Sequence, residues 1–268
     1  MQNSDLSAIL TRLQLSDSNT TSFSEEWSQG RSAFGGISSA FAVTGIRKLL
    51  SSPQPLRSLM VSFTAPIPPG EISVEARILR QGRNVTQASA SVIVGGDSCL
   101  QAMAVFGNPR EAISVPAQFD FDPPPREQGI PTEKYATRLP PFLRFFEGYW
   151  MSEGLPFSGR PSRNLQMWVR HRGDMSTLPA EKLITIADIP PPVILSYFDK
   201  PPVQASSLSW SLEFVVPPES IDTDWFFLDF DIEAAADGYT QQSGKIFTDS
   251  GQLCALSRQC MVYFGPAA

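Results

Sequence analysis

The chain has 268 residues, of which 42% are hydrophobic and 18% charged, and carries a net charge of -6. That composition excludes a disordered chain, and that length allows one large domain or two of ordinary size. An acidic protein without a dense Lys/Arg stripe is a poor match for a phosphate backbone, so nucleic acid is not an expected partner.

The first stretch, MQNSDLSAILTRLQLSDS (1–18), lacks a basic start followed by an apolar core, so no signal peptide is expected. SFSEEWSQG (22–30) reads as a strand. GGISSAFAVTGIRKLL (35–50) repeats small and apolar residues at helical spacing and places Arg47 and Lys48 in the last turn, where a helix dipole favours positive charge. Four strand-sized runs follow. They are Ser58 to Phe63, EISVEARILRQG (71–82) after a proline turn ending at Gly70, RNVTQASASVIV (83–94), and CLQAMAVFG (99–107) after a GGDS turn. Arg77, Arg80 and Arg83 form a local cluster that reads as a solvated sheet edge. The 24 prolines gather partly in 108–141, a stretch with little apolar periodicity that reads as a surface linker.

Beyond it, NLQMWVRHRG (164–173) reads as a strand and PAEKLITIADIPPP (179–192) as a helix. Pro179 suits a first helical turn, and Pro190 to Pro192 force an end near Asp188. Ser207 to Leu212, DWFFLDFDIEA (224–234), GYTQQSGKIF (238–247) and QLCALSRQCMVYFG (252–265) are again strand-sized runs. No apolar run approaches the ~20 residues of a membrane span, and the last four residues are not a peroxisomal SKL-type tail. Cys99, Cys254 and Cys260 are odd in number and form no CxxC, which points to a reducing compartment. A soluble, cytoplasmic protein is expected.

The same series of elements is thus written twice: strand, helix, then a four-stranded antiparallel meander. A helix wrapped by an antiparallel sheet is the hotdog layout, and two in one chain make an α+β double hotdog. The predicted division is a unit at 1–110, a linker at 111–140 and a second unit at 141–268.

Common catalytic machinery is scarce. His171 is the only histidine, flanked by two arginines, and reads as an exposed strand residue. There is no GxSxG elbow, P-loop or dinucleotide GxGxxG, so no cofactor is expected. One histidine and no CxxC give no basis for a metal site. Carboxylates, hydroxyls and amides remain, and these suffice for water attack on a thioester. Asp188 ends an apolar helix, facing the unfavourable end of its dipole. It is either a turn residue or a base. Gln259 interrupts an apolar strand face. Setting Leu100-Gln101-Ala102 against Leu253-Cys254-Ala255 puts Phe106 opposite it, an asymmetry expected if only one duplicated site is active. Ser207 opens a strand and matches Ser58 in the first copy.

ADIPPPVI, SSLSWSLEF and DWFFLDFDIEAAADGYTQQSGKIFTDSGQLCALSRQ, with FGG (34–36) and the PIPPG turn before RILRQGRNV, resemble the acyl-CoA thioesterase II (TesB-like) family over nearly the whole chain. The resemblance implies hydrolysis of acyl-CoA to free acid and CoA. It also implies a site in which an aspartate, a threonine or serine, and a glutamine hold the attacking water. These fall on Asp188, Ser207 and Gln259. Where many relatives have aspartate two positions after the hydroxyl, this chain has Ser209, then Trp210. Gly35 and Gly36, at the start of the first helix, are candidate oxyanion donors. The expected partner is a small acyl-CoA substrate, with a homodimer or higher homo-oligomer. A non-catalytic acyl-binding hotdog protein and an enoyl-CoA hydratase are the alternatives.

Overall fold

The computed structural model describes residues 5–264. Residues 1–4 and 265–268, the latter including the final glycine of the last predicted strand, lie outside the described residues. The chain opens with an unforeseen helix, α1 (Leu6–Leu15). Leu6, Ile9, Leu10 and Leu13 recur at helical spacing, and all are buried. The strand expected over 22–30 is broken into β1 (Thr20–Phe23), a 3-10 turn at Glu25–Trp27 and β2 (Ser28–Gln29), which pairs with β3 (Ser32–Ala33). Trp27 causes the break: its indole is buried and stacks on Phe145 at 4.2 Å.

Helix α2 (Gly35–Arg47) is buried from Gly36 through Ile46. Its small residues let the sheet close in. A Cβ on Gly45 would meet Val74 at 2.4 Å. Then come β4 (Leu56–Phe63), β5 (Gly70–Gln81), β6 (Val85–Val94) and β7 (Asp97–Gly107). After a long connection come β8 (Ile130–Pro131), β9 (Phe146–Trp150), β10 (Asn164–His171) and α3 (Pro179–Ala187). The last four strands are β11 (Gln204–Phe214), β12 (Phe226–Ala236), β13 (Tyr239–Thr248) and β14 (Leu253–Phe264).

Twelve strands form one sheet in the order β1-β5-β6-β7-β4-β11-β14-β13-β12-β10-β9-β8, with α2 and α3 packed together inside it. This is a double hotdog. The expected meanders need one correction: β4 pairs with β7, not β5, and β11 pairs with β14, not β12. Prolines explain this. Pro66, Pro68 and Pro69 follow β4, and Pro217 and Pro218 follow β11. Each lacks the N–H that a hairpin ladder needs, so the chain crosses to the far side of its unit instead. The units join through β4 and β11, which run antiparallel with Val61 opposite Trp210.

The strand registers break at matching places in the two units. An extra residue stands at Arg57 in β4 and Leu208 in β11, at Cys99 in β7 and Cys254 in β14, and at Leu79 in β5 and Glu233 in β12. Aligning on these bulges puts Gln259 opposite Ala104, not Phe106, and Ser207 opposite Leu56, not Ser58. Both earlier pairings are off by two residues. A two-residue slip preserves the in–out alternation of a strand, so residue pattern alone does not expose it. The asymmetry itself survives, since Ala104 and Leu56 are apolar and buried.

His171 is not an exposed strand residue. Its ring packs on Phe146 at 4.5 Å, and Nε2 lies 2.9 Å from Thr185 Oγ1 on α3. Thr185 Oγ1 lies 2.8 Å from Glu181 O and 3.0 Å from Lys182 O, and its single proton goes to these carbonyls. The histidine is therefore the donor. Burial pushes its pKa down to about 3, so it is neutral. Among the described residues no helix is long and apolar enough to cross a membrane.

Candidate active site

Asp188 caps the C-terminus of α3, held there by the proline run that follows. On its own helix it faces the negative end of the dipole. The structure supplies a counterweight from the other unit: Gly36 N–H, in the first turn of α2, faces the Asp188 carboxylate and draws its pKa down. The carboxylate thus sits at the positive end of α2. The approach is close. A Cβ on Gly35 would fall 2.6 Å from Asp188 Oδ2 and 3.3 Å from the Phe63 ring, while one on Gly36 would fall 3.0 Å from Thr185 Cα. Glycine is required at both positions for contact rather than for backbone conformation.

Burial drives the Asp188 pKa up to about 7, opposed by the Gln259 amide and the Gly36 N–H. A carboxyl poised there accepts a proton at neutral pH with useful driving force.

Gln259 Nε2–H donates to Asp188 Oδ1 at 2.7 Å. The glutamine is 4% exposed and points to the inner face of β14. Its Oε1 accepts from Gln242 Nε2–H at 2.9 Å, and Gln242 Oε1 accepts from the Val193 backbone N–H at 3.1 Å. Gln242 lies directly across from Gln259 in the β13–β14 ladder. The residue reading singled out Asp188 and Gln259 but missed Gln242. The available signal was a second amide on the inner face of an adjacent strand.

Ser207 reaches the site through a bulge. Trp210, Leu212 and Phe214 point inward along β11, so strict alternation would turn Leu208 inward and Ser207 out. The extra residue at Leu208 reverses the phase, leaving Leu208 exposed and bringing Ser207 to the pocket face. Among the described residues no direct hydrogen bond joins Ser207 Oγ to Asp188 or Gln259; the three share a pocket.

That pocket has a volume of about 360 Å³ and lies where the two units meet. Gly35 and Phe63 line it from one unit, with Asp188, Ser207, Gln259 and Met261 from the other. Gly36 N–H is directed at Asp188, whereas Gly35 borders the pocket itself. Among the described residues lining it, Asp188 is the only ionisable one, and the remainder of the wall is largely apolar, including Ile67, Pro190, Pro192 and Phe264. His171 is not part of this lining.

Fold and pocket together define a double hotdog protein with a buried carboxylate–carboxamide site. The chain belongs to the acyl-CoA thioesterase family: the family's N-terminal domain matches residues 23–107 and its C-terminal domain residues 116–263. It is a thioester hydrolase. Solved structures agree in fold. A hot dog protein from Alicyclobacillus acidocaldarius is 20% identical with a TM-score of 0.81, covering 92% of this chain and 93% of its own. The tesB protein of Mycobacterium avium subs paratuberculosis is 19% identical with a TM-score of 0.77, covering 97% and 100%. The acyl-CoA thioesterase II TesB2 of Mycobacterium marinum is 16% identical with a TM-score of 0.70, covering 96% and 99%. No curated protein matches the chain in sequence.

Proposed function

We propose that the protein hydrolyses acyl-CoA to a free carboxylic acid and CoA by direct attack of water on the thioester carbonyl. Asp188 takes the proton from that water. Gln259 and Ser207 orient it, and the carbonyl oxygen develops negative charge at the N-terminus of α2, where Gly35 N–H is the assigned donor. The thiolate of CoA leaves as the tetrahedral intermediate collapses. The observation that carries this reading is the 2.7 Å Gln259–Asp188 pair in a pocket whose lining, among the described residues, holds no other ionisable group. The hydratase alternative loses ground because the neutral, Thr185-bound His171 does not line that pocket. The buried free thiols of Cys99 and Cys254 suit a reducing compartment, so we place the enzyme in cytoplasmic fatty-acid and lipid metabolism.

The test is thiol release from acyl-CoA substrates of graded chain length by wild type and by Asp188→Asn, Gln259→Leu and Ser207→Ala. Wild type should turn over while Asp188→Asn falls to background. Equal rates for wild type and Asp188→Asn would sink the reading.

A further inference from the structure

We propose that Gln242 is a positioning residue for this reaction, fixing the Gln259 carboxamide so that its N–H side, not its carbonyl, faces Asp188. The proposal rests on the site assignment above and extends it to a residue one strand away from the reacting atoms.

A carboxamide has two faces of nearly equal shape, one donating and one accepting. Nothing about Gln259 alone decides which one meets the carboxylate. The decision is made at the far end of a hydrogen-bonded chain. Val193 N–H is a backbone donor and has no acceptor face to offer. It therefore requires Oε1 of Gln242 at 3.1 Å. With Oε1 spent, Gln242 presents Nε2–H to its neighbour, and this requires Oε1 of Gln259 at 2.9 Å. Gln259 is then left with Nε2–H for Asp188 at 2.7 Å. Each link has one polarity, inherited from a main-chain N–H that does not rotate.

The setting reinforces this. Gln242 is 1% exposed and Gln259 4%, so water does not compete freely for either amide. Val193 stands at the start of a 3-10 turn directly after Pro192, so its N–H is a free first-turn donor. The bulge-based alignment supplies a comparison within the same molecule. Gln242 corresponds to Ala88 of the first unit, as Gln259 corresponds to Ala104. The two glutamines are present together in one unit, and both positions are alanine in the other. A glutamine serving only to fill space on β13 would have no reason to follow Gln259 in this way.

The experiment compares kcat, KM and the pH profile of kcat for wild type, Gln242→Met, Gln242→Glu and Gln259→Leu on one acyl-CoA. Gln242→Met keeps the volume and removes the donor. It should lower kcat about 10- to 100-fold, the scale set by misplacing a catalytic group by roughly an ångström, with KM within about threefold. The acid limb should move to higher pH, because the Gln259 amide is one of the groups holding Asp188 down. Gln242→Glu, once ionised at high pH, still accepts from Val193 but offers Gln259 only an acceptor, which turns the carbonyl of Gln259 toward Asp188. Its loss should exceed that of Gln242→Met. The double variant Gln242→Met with Gln259→Leu should be no slower than Gln259→Leu alone.

Val193→Pro tests the same chain without touching Gln242. It deletes only the anchoring N–H, at a first-turn position proline tolerates, and should shift kcat and the acid limb in the same direction. If Asp188→Asn is inactive while folded Gln242→Met or Val193→Pro keeps kcat within twofold and an unmoved profile, this proposal is overturned and the site assignment stands. If Asp188→Asn retains wild-type turnover, the site assignment itself has failed.

Discussion

Replacing Asp188 by asparagine should change the pH dependence of stability in a defined direction. Burial raises the Asp188 pKa from the ordinary 3.8 to about 7 in the folded protein. Between those values the folded state holds a proton that the unfolded chain has released. Stability from this group is therefore complete below about pH 4 and declines as pH rises through 7. At 1.36 kcal/mol per unit of pKa, the full excursion is on the order of 4 kcal/mol. Asparagine never ionises and shows none of it. Its amide brings its own cost near Gln259 and Gly36, but that cost does not depend on pH, and other titrating groups cancel in the comparison. Urea unfolding of both proteins from pH 5 to pH 9 should show Asp188→Asn gaining on wild type up to about pH 8 and running parallel above it. The wild-type kcat/KM should rise over the same window to a plateau. A stability difference flat across that range would refute the reasoning, since it would mean Asp188 ionises in the ordinary carboxylate range and is not a tuned base.

Gly35→Ala places a Cβ 2.6 Å from Asp188 Oδ2, so the carboxylate must move; kcat should fall about 10- to 100-fold with KM little changed, measured by steady-state hydrolysis. Deleting Leu208 removes the β11 bulge but leaves Ser207 next to Ser209 and opposite Met261, so the serine keeps its inward phase and the variant should turn over faster than Ser207→Ala in the same hydrolysis assay. Glu181 is 1% exposed and bound by Arg47 at 2.8 Å and Thr44 at 3.2 Å, about 10 Å along α3 from Asp188. Glu181→Ala should cost on the order of 2 kcal/mol in denaturant unfolding, since Arg47 keeps access to water, and leave KM unchanged.

What could be read from residues, and what could not, follows from the range of each interaction. Helix α2 and the eight long strands announce themselves through local periodicity, and the proline stop after α3 located Asp188. Strand pairing is not local, so a meander was expected where the PIPPG connection carries the chain across its unit. The repeat register read from residue types is out by two because Leu100-Gln101-Ala102 and Leu253-Cys254-Ala255 match as strings, whereas the bulges set Cys99 opposite Cys254. Asp188 looked badly placed because the helix N-terminus that accommodates it, α2, lies some 150 residues earlier in the sequence. Gln242 is not legible in the sequence because a single glutamine carries no signature until the fold sets Gln259 and Val193 on either side of it.

The duplicated architecture also explains why the two halves diverge so sharply at a few inner positions. A buried amide relay is favourable only when every donor and acceptor is matched, and half of one is worse than none. Mixed intermediates along Gln242, Gln259 and Asp188 would strand a buried polar atom at a cost of about 1–3 kcal/mol each. The two stable solutions are therefore the complete relay or an apolar wall. The second unit holds the first solution. The first unit, with Ala88, Ala104 and Leu56 at the corresponding places, holds the second. It contributes instead what a packed wall can provide: the N-terminus of α2, presented to Asp188 by glycines that permit the approach. Among the described residues, one candidate site lined by both units is what this division yields.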